Sequence, residues 1–295
     1  MEPHTEDVST LKPEPQKTPG GIAYISRPGT GPTVVFLHGI GSNATSFLPI
    51  LDHLPDHLNV VLWNAPGYEN SDPVDDPWPE PKTYADALRR FLDDLGLSRA
   101  HIVGHSLGTL IAASFARYFP DRLQNLVLVS AAEGYGVPRN GALPDKVRAR
   151  IDDLKRLGPA KFAKERAANL VHDPAAHASA VASVEHAMSK VNPAGYAQAV
   201  HLLASGALSS DLAHGTIRPA FIIGAKDRIT PLEQTLAAAR AWEAAHDSAA
   251  PIQVIHGAGH AVYLQTPAEF SKALVTALAG DETDAPGVAL QHEET

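Results

Sequence analysis

The chain has 295 residues, 44% of them hydrophobic and 19% charged, with a formal net charge of -9 and no cysteine. That length leaves room for one large α/β domain carrying a small insertion, and the lack of cysteine excludes disulfides, thiolate nucleophiles and cysteine-held metals. An acidic chain gains nothing from counterion release, so nucleic acid is not an expected partner. Residues 1–19 are polar, with prolines at Pro3, Pro13, Pro15 and Pro19, and are expected to form a disordered tail. They have neither the basic start nor the apolar centre of a signal peptide. No run of 18 apolar residues follows, so a cytoplasmic location without a membrane partner is expected. Six short apolar runs come next: Val34–Leu37, Val60–Trp63, His101–Val103, Leu126–Val129, Ala220–Ile223 and Ile252–Ile255. Without polar alternation they read as strands covered on both faces, which is a property of parallel sheets. Helical patterns fall between them, at Thr83–Leu95, Leu107–Phe119, Pro231–His246 and Pro267–Leu278. The first stops at Gly96, the second before Pro120, and the last two open on a proline. This alternation predicts an α/β fold with a mostly parallel, doubly wound sheet. One interval, 134–213, is far longer than an ordinary connection. Its patterns at Lys146–Leu157 and Ala160–Leu170 are helical. The expected layout is a core of 20–133 and 214–280, a helical insert at 134–213, and a second disordered tail at 281–295.

Four motifs carry chemistry. Gly104-His105-Ser106-Leu107-Gly108 lies between an apolar run and a helical pattern, the setting of a nucleophile elbow, which nominates Ser106 as nucleophile. A surface Gly-Ser turn has the same letters; the strand before and the helix after separate the two. Gly257-Ala258-Gly259-His260 follows the last strand. With fifteen histidines in the chain most are structural, but the order Ser, acid, His singles out His260 as general base. Gly224-Ala225-Lys226-Asp227 ends a strand and supplies Asp227 to orient that imidazole. Asp227 also reads as a turn aspartate ahead of a helix, and Glu133 is the competing acid. In His38-Gly39-Ile40-Gly41, the Ile40 amide pairs with that of Leu107 as an oxyanion hole, and His38 is expected to bond within its own loop. No metal-ligand constellation is visible. A dinucleotide fingerprint starting at Gly39 would need glycine at 44, which is Ala44. Neither cofactor nor metal is expected, and the expected partner is a small-molecule substrate.

The blocks VVFLHGIGSNATSF, LWNAPGYENSDP, HIVGHSLGTLIAASFARYFPDRLQNLVLVSA, FIIGAKDRITP and VIHGAGHAVYLQTPAEF together resemble the α/β-hydrolase superfamily. The resemblance implies that the insert is a helical cap over the site. The chain is most similar to 3-oxoadipate enol-lactonase-like enzymes, and more loosely to esterases and meta-cleavage-product C–C hydrolases. It implies a serine hydrolase that cleaves a carboxylic ester or enol-lactone through an acyl-enzyme. C–C hydrolysis of a diketo acid and a slow small-molecule receptor are the alternatives. Ser106 stands where haloalkane dehalogenases need a carboxylate. Two departures are visible. Asn64-Ala-Pro-Gly-Tyr68 replaces a block that often begins with Asp and ends in His or Arg. Ala261 follows His260 where C–C hydrolases typically have Trp. The stretch Glu133–Asp211 carries ten Lys or Arg against eight Asp or Glu. That surplus suits a carboxylate-bearing substrate, although solvated helix faces with pairs such as Lys161–Glu165 account for it as well.

Overall fold

The computed structural model describes residues 14–279. The expected tail at 281–295 and residues 1–13 of the other lie outside the described residues. Among those described, the strands are β1 (Pro15–Lys17), β2 (Ala23–Arg27), β3 (Thr33–Leu37), β4 (Asn59–Trp63), β5 (Ala100–His105), β6 (Leu123–Val129), β7 (Pro219–Gly224) and β8 (Ile252–Ile255). They form one sheet in the order β1-β2-β4-β3-β5-β6-β7-β8. β1 and β2 are antiparallel to their neighbours and the rest run parallel. Every residue of β3, β5 and β7 is buried, which is why these strands carry no polar alternation.

The sheet corrects one expectation. Pro15–Lys17, assigned above to the disordered tail, is the edge strand β1, paired with β2 from Pro15↔Ile25 to Lys17↔Ala23. All three of its residues are exposed, so it buries nothing that a hydrophobic pattern registers. Backbone pairing and polar contacts hold it, among them Tyr24 to Gln16 at 2.8 Å and Lys17 to Asp72 at 2.8 Å.

Helices cover both faces. On one side α1 (Pro81–Asp94), α2 (Leu107–Tyr118) and Trp242 of α7 (Leu232–His246) share a core with Leu37, Trp63 and Phe221. On the other, the 3-10 turns Ala44–His53 and the last helix, Pro267–Ala279, pack on Phe36, Val103 and Ile222. Between β6 and β7 the chain forms α3 (Asp145–Arg166), α4 (Ala178–Met188), α5 (Pro193–Ser205) and α6 (Leu208–His214). α3 bends where Gly158 takes φ +72° ahead of Pro159. Glycine permits that angle, and the proline that follows cannot continue the hydrogen-bond ladder. The apolar stripe of these inserted helices, including Val147, Leu154, Phe162 and Val184, merges with the first core. After β8 come α8 (Val262–Gln265) and α9, the last helix already described. No helix among the described residues is long and apolar enough to cross a membrane.

Candidate active site

β5 turns into α2 through Ser106, whose backbone sits at φ +52°, ψ -114°. A non-glycine residue there stores on the order of 1–3 kcal/mol of strain, and its surroundings must hold it. They do: its amide donates to Val129 O at 2.9 Å, and its carbonyl accepts from the Thr109 amide at 2.9 Å and hydroxyl at 2.6 Å. A Cβ on Gly104 would strike the backbone of Gly108, and one on Gly108 the backbone of Leu37. The strand, the helix and β3 therefore meet backbone to backbone beneath the serine. Its side chain makes no capping bond to α2 and lines a cavity of about 470 Å³.

His260 enters the same cavity from the loop after β8. Its Nδ1 lies 2.9 Å from Asp227 Oδ2, and both side chains are almost fully buried. Asp227 Oδ1 accepts the amides of Ile229 at 2.8 Å and Thr230 at 3.0 Å, so it is a turn aspartate as well as the histidine's partner. Burial alone would raise the carboxyl's pKa. His260 beside it and the two turn amides outweigh that and hold it well below the usual carboxylate range. The ring bonds of His260 all use Nδ1. Its Nε2 has no protein partner among the described residues, and no hydrogen bond joins it to Ser106. The competing acid, Glu133, is engaged elsewhere: Ser209 donates its amide at 3.2 Å and its hydroxyl at 2.8 Å to the two oxygens.

Three supports of this pair were not anticipated from sequence. Thr230 Oγ1 lies 2.9 Å from Asp227 Oδ2, 3.2 Å from His260 Nδ1 and 3.0 Å from Ser130 O, tying the acid to the end of β6. His105 Nε2 donates to the backbone carbonyl of His260 at 3.0 Å, and Ser130 Oγ reaches the same oxygen at 3.3 Å. Burial, with His260 nearby, pushes the His105 pKa down to about 3, so this ring is neutral. Gln265 takes the Gly259 amide at 2.7 Å and the His172 amide at 2.9 Å on one oxygen, and returns a bond to His172 O at 2.9 Å. The DRITP run carries a visible Asx-turn signal for Thr230. Nothing local marks His105 or Gln265, because each acts on a segment more than ninety residues away or across a loop.

The loop after β3 is braced by the block that departs from the family pattern. Asn64 Oδ1 accepts the Ala44 amide at 2.8 Å, His38 Nε2 accepts that of Ala65 at 3.0 Å, and the Tyr68 hydroxyl accepts that of Gly41 at 3.3 Å. His38 Nδ1 bonds Gly39 O at 2.9 Å, so it bonds within its own loop as read from sequence. The Gly41 amide is thereby engaged. The Ile40 and Leu107 amides have no protein acceptor among the described residues.

The inserted helices close the cavity from above. Phe162, Val184, Met188 and Tyr196 line it, and all four are buried, so Met188 and Tyr196 serve both as insert core and as cavity wall. Tyr135 lines it too. His201 instead packs against Trp78, ring centroids 4.1 Å apart and planes tilted by 35°. The insert is seamed to the core at three places. Glu133 O accepts the Leu208 amide at 2.9 Å, and Arg117 of α2 pairs with Asp211 of α6 at 2.9 Å. Gly195 meets Gly67 backbone to backbone. Leu170 O accepts the Ala261 amide at 2.9 Å beside the Gln265 clamp.

Known proteins resemble this chain in part or in whole. Over 110 residues it is 38% identical to a 2-hydroxy-6-oxononadienedioate/2-hydroxy-6-oxononatrienedioate hydrolase of Pseudomonas putida, a match covering 36% of this chain and 38% of that protein. Such curated relatives are matched over only 30% to 47% of their own lengths. A thermophilic esterase of Thermogutta terrifontis superposes with a TM-score of 0.77 at 23% identity, covering 91% of this chain and 98% of that one. The enol-lactonase of Burkholderia xenovorans gives 0.76 at 18%, covering 90% and 100%. At those identities the likeness shows a shared fold. A family model matches residues 34–273, from the start of β3 to the last helix, and with it the chain belongs to the alpha/beta hydrolase family.

Proposed function

We propose that this hydrolase cleaves a carboxylic ester or lactone through an acyl-enzyme, with Ser106 as nucleophile, His260 as general base and Asp227 as the acid that orients it. The observation that carries the reading is the buried 2.9 Å bond from His260 Nδ1 to Asp227 in the cavity lined by Ser106. With Nδ1 donating to the carboxylate, Nε2 is the free base. As Ser106 Oγ attacks the carbonyl carbon, its proton passes to Nε2, and the imidazolium forms beside a carboxylate that stays ionised. The carbonyl oxygen becomes an oxyanion that accepts from the Ile40 and Leu107 amides. Collapse expels the alcohol, which takes the proton from His260. Water then repeats the sequence on the acyl-serine and releases the acid. The inserted helices act as a cap that shapes the acyl and leaving-group pocket. Ala261 beside His260, and an oxyanion loop of sequence HGIG, favour the ester or lactone over C–C hydrolysis of a diketo acid.

The test combines labelling with turnover. A fluorophosphonate is expected to add its mass to the peptide holding Ser106. Ser106→Ala should fold normally and lose at least about 10³-fold in kcat on whichever short ester, enol lactone or ring-fission acid the wild type cleaves. Label on another residue, or an active alanine variant, would remove Ser106 from the mechanism. A labelled protein that turns over none of these substrates would favour the receptor reading.

A further inference from the structure

The charge of the cavity runs against that of the chain. The whole chain is at -9, yet the cavity wall holds three cationic side chains, Lys146, Arg150 and Arg166, and one carboxylate, Glu133. Both oxygens of that carboxylate are engaged by Ser209. Two of the cations also have partners. Arg166 pairs with Asp153 at 2.7 Å and lies 4.1 Å from the Phe162 ring centroid. Lys146 sits 5.0 Å from the Tyr135 ring centroid on the exposed side of α3.

Arg150 differs from both. It is half-buried on the first arm of α3 and makes no ion pair among the described residues. The nearby carboxylate on its own helix, Asp153, is taken by Arg156 and Arg166, each at 2.7 Å. Its position can be followed through its neighbours. The guanidinium is a hydrogen-bond partner of the neutral Tyr196 side chain, where it works against the rise that burial imposes on that phenol, and it acts on Tyr68 in the same sense. That bond leaves its remaining donors and its charge without a carboxylate partner among the described residues. Tyr68 holds the Gly41 amide. Tyr196 packs on Gly41, 3.7 Å from where a Cβ there would sit. Both tyrosines flank Gly41, so the Arg150 guanidinium stands on the oxyanion-loop side of the cavity, under the inserted helices. A guanidinium carries five donors in a planar fork that fits a carboxylate with two parallel bonds.

We propose, taking this cavity to be the hydrolytic site, that Arg150 is a specificity-determining residue that binds a free carboxylate on the substrate, remote from the bond that is cleaved. The substrate class is then a half-ester of a dicarboxylic acid, or a lactone bearing a carboxylate. Lys146 adds positive potential at the exposed end and draws the anion in.

Two measurements test this. The first compares a neutral p-nitrophenyl alkanoate with the p-nitrophenyl half-ester of a dicarboxylic acid of equal chain length. Wild type is expected to show the higher kcat/KM on the half-ester. Arg150→Met should lower the half-ester to neutral-ester ratio by roughly 10–100-fold, mostly through KM, and Arg150→Lys should keep part of it. The second is calorimetric titration of glutarate into Ser106→Ala. Binding that weakens with salt and is lost on adding Arg150→Met is the expected result. Glutarate binding without cleavage of any ester would uphold the carboxylate subsite and sink the hydrolytic reading. Ester cleavage with a ratio unmoved by Arg150→Met, or with no glutarate bound, would overturn the subsite and leave the hydrolase.

Discussion

Single hydrogen bonds separate the two candidate carboxyls. Asp227 faces the imidazole at 2.9 Å, while Glu133 accepts from Ser209. Asp227→Asn is therefore expected to lower kcat by several orders of magnitude, because an amide can hold the wrong imidazole tautomer. Glu133→Gln should change kcat by less than about tenfold, since that carboxylate lines the cavity but bonds Ser209 at the start of α6 and not the imidazole. Steady-state kinetics on the two variants checks this, and a crippled Glu133→Gln beside a working Asp227→Asn would reverse the assignment. Ser106, Asp227 and His260 were legible because each sits at a strand end with glycine nearby, a local pattern. Thr230 was half legible from the turn it shares with Asp227. His105 and Gln265 were not legible. One bonds a carbonyl 155 residues away and the other an amide 93 residues away, and neither partner can be known before the chain is folded.

Elements were readable in proportion to what they bury. The six parallel strands and the four helices around them gave apolar patterns, and their observed ends lie within a few residues of the expected ones. β2 was missed although Ala23 and Ile25 are buried and Tyr24 and Ser26 are less so, because five residues of alternation are a weak signal. β1 left no signal at all. The two helical patterns of the insert, Lys146–Leu157 and Ala160–Leu170, became the two arms of α3 and the 3-10 turn Ala167–Leu170. The clamp between this turn and α8 can be tested. Gln265→Leu strands the buried Gly259 amide and that of His172, at roughly 1–3 kcal/mol for each group left without a partner. The expected outcome is a lower Tm together with a several-fold lower kcat, as the His260 loop loosens. Thermal melts and kinetics on the same preparation read both. A stability loss with full activity would mean that the clamp serves the insert alone.

Across the whole molecule, buried histidines link stability to pH. Burial lowers His38 to about 4 and His105 to about 3, against an unfolded value near 6.5. Below about 6.5 the unfolded chain binds protons that the folded chain refuses, so stability falls as pH drops towards 4. His38 alone accounts for something on the order of 3 kcal/mol across that window, at about 1.4 kcal/mol per unit. Asp227 adds to the loss lower down, as its carboxylate is protonated on the way through and below the ordinary carboxylate range. Tm is expected to fall by several degrees from pH 7 to 4.5, and less steeply in His38→Gln. A melting curve indifferent to pH across that span would mean that these rings are charged in the fold. The three seams of the insert bear on how substrate gets in. Inserted helices tied down beside Glu133, Gly67 and Gly259 are held at three points, so entry is expected to depend on side chains parting at a doorway of fixed outline. The enzyme would then sort its substrates by girth at that threshold, and an oil–water boundary, which rouses enzymes with hinged roofs, would leave its rate unaltered.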